Sequence, residues 1–397
     1  MYNRLSFTSV MMVSLAALLC VPLLNACVGL GAGVYGKPVT RLELVRALLK
    51  HPKDQVFVMR GRNLSDLKLA EIKLNGADFT GSTFEGSNLY KAQFRGANLK
   101  GVNFHGAKLR DADLTEANLV GADLSNADLS GAILDSADLG QANLDGATLD
   151  RISLRNAQLN NATMGSAKLS NVFLGDSNLS NLDMRSVKLS AVDFSGAVLL
   201  NVNFNGTELN NVVFQKADLS ESHFRDANLE FADLRQVHAV RTDFHHANLE
   251  KSDLRGANFY RSLFNQANLK FSQMQVAILD ETNFAEADLR HANLEMVSAV
   301  RASFVWAKLD DAILNKADFS NTNLANAKLR NTKLAESIMV RATLLATDFS
   351  DADLTEADFE QANVSGADFK GTNLKDALNI GQARGLDNAV NLEYSRF

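Results

Sequence analysis

From Leu64 to Leu374 every fifth residue is apolar, without one slip of register. Of these 63 positions, 39 are Leu, 17 Phe, 4 Met, 2 Ala and 1 Val. The chain has 23 Phe, and 17 of them share this one phase, so the pattern is structural rather than compositional. The residue two before each centre is usually Ala, otherwise mostly Ser, Thr or Val, as in Gly121-Ala122-Asp123-Leu124-Ser125-Asn126-Ala127-Asp128-Leu129. A step of five advances about 140° around a helix and smears the apolar stripe over the whole cylinder. On a flat strand every fifth residue alternates faces. The repeat becomes consistent only if the chain turns through about a right angle every five residues, so that four units close a coil of roughly twenty. Centres and small residues then point inward, and the small ones leave room for the large ones. The remaining positions face solvent. Gly recurs two places after the centre (Gly81, Gly86, Gly96, Gly106, Gly121, Gly131), where a turn needs permissive backbone.

The flanks break this pattern. Thr40-Arg41-Leu42-Glu43 reads as a capping box, with Val39 and Leu44 placed as a hydrophobic staple. A helix to about Lys50 should bury Leu44, Val45 and Leu48, and Gln55 to Arg60 looks like a first strand. Residues 39–62 are therefore an N-terminal cap and 63–377 the repeat body. The five-residue register fails at Asn379. Residues 378–397, with Leu378, Ile380, Leu386, Val390, Leu392, Tyr394 and Phe397, are expected to plug the C-terminal end. Both ends need cover, because an unpaired strand edge invites aggregation. The only prolines are Pro22, Pro38 and Pro52, which fits a body in continuous ladder pairing, since proline brings no N–H to a ladder.

The first residues read as a targeting segment. Arg4 supplies positive charge, and an apolar run from Val10 to Leu24 follows, short for a membrane span and with no basic stop after it. It ends in Leu24-Asn25-Ala26-Cys27, which resembles the lipobox of bacterial lipoproteins. That resemblance implies recognition through Leu24 and Ala26, cleavage after residue 26, and acylation of Cys27. An uncleaved anchor helix with an incidental cysteine is the alternative. Cys20 lies within residues 1–26, so Cys27 would be the only cysteine of the mature chain and no intramolecular disulfide could form. Residues 27–38, rich in Gly, would form a flexible tether. Cleavage leaves 39 basic against 46 acidic groups, a net −7 with both signs mixed along the chain. Such a balance does not suggest a nucleic-acid binder.

The repeat itself resembles the pentapeptide-repeat family, whose unit is A-[D/N]-L-x-x, over roughly 315 residues. The resemblance implies an all-β fold: a right-handed quadrilateral β-helix, here with a short N-terminal capping helix. At strand spacing 63 units would make about 16 coils and a rod on the order of 75 Å long.

Candidate chemistry is sparse. The many Asp and Asn before the centres read as backbone-bonding or solvated residues rather than catalytic or calcium-binding ones. His245 and His246 are adjacent, and stacking by twenty puts His223 near Asp243, but nothing completes a metal set. No nucleophile triad or phosphate loop has recognisable spacing, so no catalytic residue, metal, cofactor or small-molecule substrate is expected. Stacking by twenty reveals one individual feature. A column reads Arg241, Arg261, Glu281, Arg301, Asn321, Arg341, and beside it run Val240, Tyr260, Asp280, Val300, Ser320, Val340. Val305, Trp306 and Leu345 add apolar groups in the same half. This is either a solvated wall of duplicated units or a contact stripe of Arg and aromatic residues, the types enriched at interfaces. The expected function is a non-enzymatic, membrane-anchored scaffold or interaction lipoprotein of the cell envelope. Its anchor would be lipid through Cys27, in the outer membrane facing the periplasm, because Val28 rather than Asp follows Cys27. Its partner would be an envelope protein or a second copy. The alternative, a DNA mimic that protects gyrase from quinolones, is known in the family the repeat resembles but conflicts with an export signal.

Overall fold

The computed structural model describes residues 36–396. The expected signal segment with Leu24 and Ala26, the acylated Cys27 and most of the tether lie outside the described residues, as does Phe397.

The five-residue phase folds as a four-sided coil. Along one wall, parallel bridges join Val58 to Asp78, Asp78 to Asn98, and so on in steps of twenty to Leu378. Three further walls carry the same step, for instance Asp123 to Asn143, Asp128 to Thr148 and Ile133 to Ser153. Each unit touches both neighbouring coils. Leu124 N–H donates to the Asn143 carbonyl at 2.7 Å, and Asp123 N–H donates to the Val102 carbonyl at 2.9 Å. Sides are so short that among the described residues only three extended strands stand out: β1 (Thr148–Asp150), β2 (Lys168–Phe173) and β3 (Lys188–Asp193), paired in parallel in that order.

At the corner, two residues after every centre but Met184, the backbone is left-handed. Gly121 sits at φ +64°, but so do Trp306 at +61° and even the β-branched Val276 at +54°. Left-handed backbone is disfavoured for side chains with a Cβ and most of all for branched ones. The ladder on both sides therefore imposes the corner, and the scattered glycines only ease it.

Centres from Leu64 to Leu374, all but Leu189, are buried in the interior, with most of the Ala, Ser, Thr and Val two places earlier. Phe204, Phe224, Phe244, Phe264, Phe284 and Phe304 form one continuous offset stack through six coils, with successive centroids 4.7–5.0 Å apart. Where the small position is Ser or Thr, its hydroxyl mostly donates to a backbone carbonyl 23 residues earlier, as Thr242 Oγ1 to Leu219 at 2.9 Å and Thr282 Oγ1 to Phe259 at 2.7 Å, or three residues earlier, as Ser252 Oγ to Leu249 at 2.7 Å; the Ser272 and Ser337 hydroxyls have no protein partner.

At the N-terminal end, helix α1 (Arg41–Lys50) begins at Thr40, whose side chain accepts from Glu43 N–H while Glu43 accepts from Thr40 N–H. Leu44 is fully buried, and Val39 and Leu48 are partly buried against the core. Val45 is only half-buried. Instead of a continuous strand over Gln55 to Arg60, a single bridge at Val58 begins the ladder, with Met59 N–H on the Asp78 carbonyl.

At the C-terminal end the ladder does not stop where the five-residue register fails. The coil continues with six-residue sides. Arg384, Val390 and Arg396 bridge Asn363, Asp368 and Asn373, offsets that grow by one at each wall. Asn379, Gly385 and Asn391 take the left-handed corners, each followed by one 3-10 turn (Ile380–Gln382, Leu386–Asn388, Leu392–Tyr394). Ile380, Leu386 and Leu392 pack partly against the core, whereas Leu378, Val390 and Tyr394 are exposed.

Candidate functional site

The routine polar positions do structural chemistry. Asp123 Oδ1 accepts from Ser125 N–H at 3.0 Å, from Ser125 Oγ at 2.6 Å and from Asn143 Nδ2 at 3.3 Å. The same turn recurs at Asp113, Asp128 and Asp348. Asn228, Asn248 and Asn268 form an amide ladder at 3.1 and 2.9 Å. His223 does bridge Asp243, but Arg225 holds that carboxylate at 3.0 Å, and the rings of His245 and His246 stack on each other. Among the described residues no set of three or more His, Cys, Asp or Glu side chains converges as a metal site.

The arginine column lies where stacking by twenty puts it. Arg241, Arg261, Arg301 and Arg341 are exposed at left-handed corners of one edge, with Glu281 and Asn321 at the corners between them, and Val240, Tyr260, Val300 and Val340 are half-buried on the wall beside it. The charges, however, are largely closed within the protein. Arg261 Nε binds Glu281 Oε2 at 2.7 Å, Arg301 reaches the same carboxylate at 3.7 Å, and the Tyr260 hydroxyl donates to it at 3.3 Å. These contacts, the Arg261 hydrogen bond first, hold the Glu281 carboxyl below its ordinary range. Arg241 pairs with Glu221 at 3.4 Å, and Arg341 Nε donates to Gln361 at 3.1 Å. Repulsion between stacked arginines is therefore not a reason for this wall to seek an acidic partner.

What distinguishes the wall is apolar surface that the sequence reading missed. Val276 and Met296 occupy the corner at its opposite edge, 56% and 50% exposed, and Ile278 and Ile338 stand between the edges at 43% and 40%. Ile278 and Ile338 replace the usual Asx, and that interruption of a twenty-residue column was the available signal. Trp306 does not join this band. It is 58% exposed at the next corner, and Val305 and Leu345 lie on the wall between that corner and the arginine edge.

A family model described as pentapeptide repeats matches the chain in overlapping stretches from residue 63 to residue 376. The chain belongs to the pentapeptide repeat family. Solved structures similar to it include the pentapeptide repeat protein HetL, involved in heterocyst differentiation regulation in Nostoc sp. strain PCC 7120, at 24% identity over 85% of this chain and 98% of that one, with a TM-score of 0.21. A pentapeptide repeat protein from the thylakoid lumen of Arabidopsis thaliana is 32% identical over 27% of this chain and 68% of its own, with a TM-score of 0.18. QnrB1, a plasmid-mediated fluoroquinolone resistance protein, is 14% identical over 52% and 92%, with a TM-score of 0.29. No curated protein matches the chain.

Proposed function

We propose that this pentapeptide repeat protein is a non-enzymatic lipoprotein that serves as an interaction scaffold in the bacterial cell envelope. Acylated Cys27 anchors it, and the anchor holds it to the outer membrane facing the periplasm. The observation that carries the anchor is Leu24-Asn25-Ala26-Cys27 at the end of an apolar run. Two acyl groups hold a protein firmly where one does not, so the anchor needs the full lipoprotein modification. In this reading the coil is right-handed, and α1 caps its first rung.

The wall from Val240 to Arg341 is the working surface, contacting an envelope protein or a second copy. Its support is the band of Val276, Ile278, Met296 and Ile338 beside Tyr260, Val300 and Val340, bordered by internally paired arginines. An apolar centre with a polar rim is the usual anatomy of a protein interface. Metabolic labelling with a palmitate analogue should mark the wild type and not Cys27→Ser, and labelling that survives the substitution removes the anchor. Combining Tyr260→Ser, Val300→Ser and Arg301→Glu should leave folding near normal and abolish crosslinked envelope complexes. A triple variant that keeps every crosslinked species reduces the wall to a solvated surface.

A further inference from the structure

The ladder is broken in two adjacent places. Thr163 and Asp183, one coil apart on the same wall, do not bridge, and neither do Lys188 and Glu208 on the next wall. At the first break the expected bonds from Met164 N–H to the Asp183 carbonyl, and from Asp183 N–H to the Ala162 carbonyl, are both missing. The walls opposite remain closed, with Gln158 bridged to Asn178 and Ser153 to Phe173. One corner of the rod therefore gapes like a wedge.

The cause is written in the small-residue position. Leu182, Val187 and Val192 fill it in three consecutive units; elsewhere in the body large residues there are separated by Ala, Ser or Thr, except for the pair Leu67 and Ile72 in the first coil, which are only partly buried. Overfilling a close-packed core displaces backbone. Between the two breaks Ser186 leaves the left-handed conformation its neighbours Asn181 and Ala191 keep, and Leu189 is a centre that is only partly buried. Residue 183 follows the coil above, bridged to Asn203, while β3 follows the coil below, bridged to β2.

The first break is an open cleft of about 390 Å³, lined among others by Ala162, Thr163, Met164, Asn181 and Asp183. Unmade backbone pairs are costly wherever they are shielded from water, and natural structures rarely leave them. Here the lower lip offers the Ala162 carbonyl and Met164 N–H, and the upper lip the N–H and carbonyl of Asp183. We propose that this cleft is a docking slot for one extended strand of a partner polypeptide, running parallel to the lips.

Three consecutive residues match both lips. The middle residue gives its N–H to the Ala162 carbonyl and takes Met164 N–H on its own carbonyl. The residue before it accepts from Asp183 N–H, and the residue after it donates to the Asp183 carbonyl. In a strand this alternation of direction is automatic, which is why strand addition recognises main chain first and side chains second. The middle side chain points out past Thr163 and Asp183. Its neighbours point inward over Ala162 and Met164, so a small residue before it and an apolar one after it fit. The slot rests on reading the chain as a binding scaffold, but it lies on a different wall from the Ile278 band and involves none of its residues.

The probe is the peptide acetyl-Gly-Ala-Asn-Leu-Gly-amide, with a control carrying Pro in place of Asn, which has no N–H to give. Amide exchange in the mature chain should show Met164 and Asp183 exchanging faster than Leu144 and Phe204. Peptide at ten times its Kd should slow Met164 and Asp183 about tenfold, and the proline control should not. Leu182→Ala with Val187→Ala should relieve the overfilling, protect Met164 without peptide, and abolish peptide binding. The arginine-wall triple variant should bind peptide unchanged, so that failure of the slot and failure of the wall are read separately. The proposal falls if Met164 and Asp183 are already as protected as Leu144 in the free protein. It falls equally if the proline control protects them as well as the Asn peptide, or if neither peptide does; these readings use the wild type and do not depend on the variant folding.

Discussion

The stacked phenylalanines allow the core to be tested pair by pair. Phe244 is fully buried, with Phe224 at 4.9 Å on one face, Phe264 at 4.7 Å on the other, and Phe259 edge-on at 5.8 Å. Truncation to Ala should cost about 3–5 kcal/mol through lost transfer free energy and a cavity. Phe244→Leu keeps most of the volume and removes the ring. At about 0.5–1.5 kcal/mol for each aromatic pair beyond burial, two lost faces predict about 1–3 kcal/mol. The sharper quantity is the coupling. In a double-mutant cycle, Phe244→Leu with Phe264→Leu should show about 0.5–1.5 kcal/mol. Phe204 and Phe244 lie two coils apart with Phe224 between them, about 9.6 Å at strand spacing, and should couple by less than about 0.5 kcal/mol. A solenoid opens locally and its stability is a sum over neighbours. The assay is therefore amide exchange at the coil itself, read at Phe244 and Phe264, alongside urea unfolding of the mature chain. Equal coupling for the adjacent and the separated pair would refute nearest-neighbour stacking as the organisation of this core.

Three further outcomes follow from single sites. Leu124→Ala should cost about 2–5 kcal/mol locally, whereas Asp123→Ala, which forfeits a turn with three accepted hydrogen bonds, should cost on the order of 1 kcal/mol; exchange in that coil separates them, and equal losses would contradict the inward phase. Arg60, bonded to Asp78 through Nε, holds the Asp78 carboxyl well below the usual carboxylate range, so its contribution is complete above pH about 4 and fades as pH falls below that. The first rung should accordingly loosen in acid before the middle of the rod, and Asp78→Asn should remove that pH dependence in exchange at Met59. Gly385→Ala places a Cβ 2.7 Å from the Ser365 Cβ at a corner with φ +74°, so it should detach the last coil while leaving the rod's main unfolding transition in place; limited proteolysis after Arg384 reports it.

The five-residue phase by itself determined the coil, because a period that suits neither a helix nor a flat strand leaves a turn at every unit as its consistent solution. It also determined which residues are inside: Leu124 and the Phe column are buried because no other face exists for their phase. Stacking by twenty placed Arg241, Arg261 and Arg301 on one edge, since coil length is fixed once the side is five residues. The sequence likewise contained the six-residue unit of the last coil, in Asn379-Ile380, Gly385-Leu386 and Asn391-Leu392. A change of period reads as a loss of register until the ladder shows that pairing continues. Other features belong to the tertiary structure alone. Whether Arg261 and Arg301 share Glu281 depends on side-chain reach across coils, which spacing does not specify. Trp306 was grouped with the arginine wall because it lies in the same stretch of chain, and a single corner removes it. The gap at Thr163 and Asp183 is the clearest case. Leu182, Val187 and Val192 are each ordinary small-position substitutions, and only their combined volume in one stretch of close-packed interior decides that the ladder must open there.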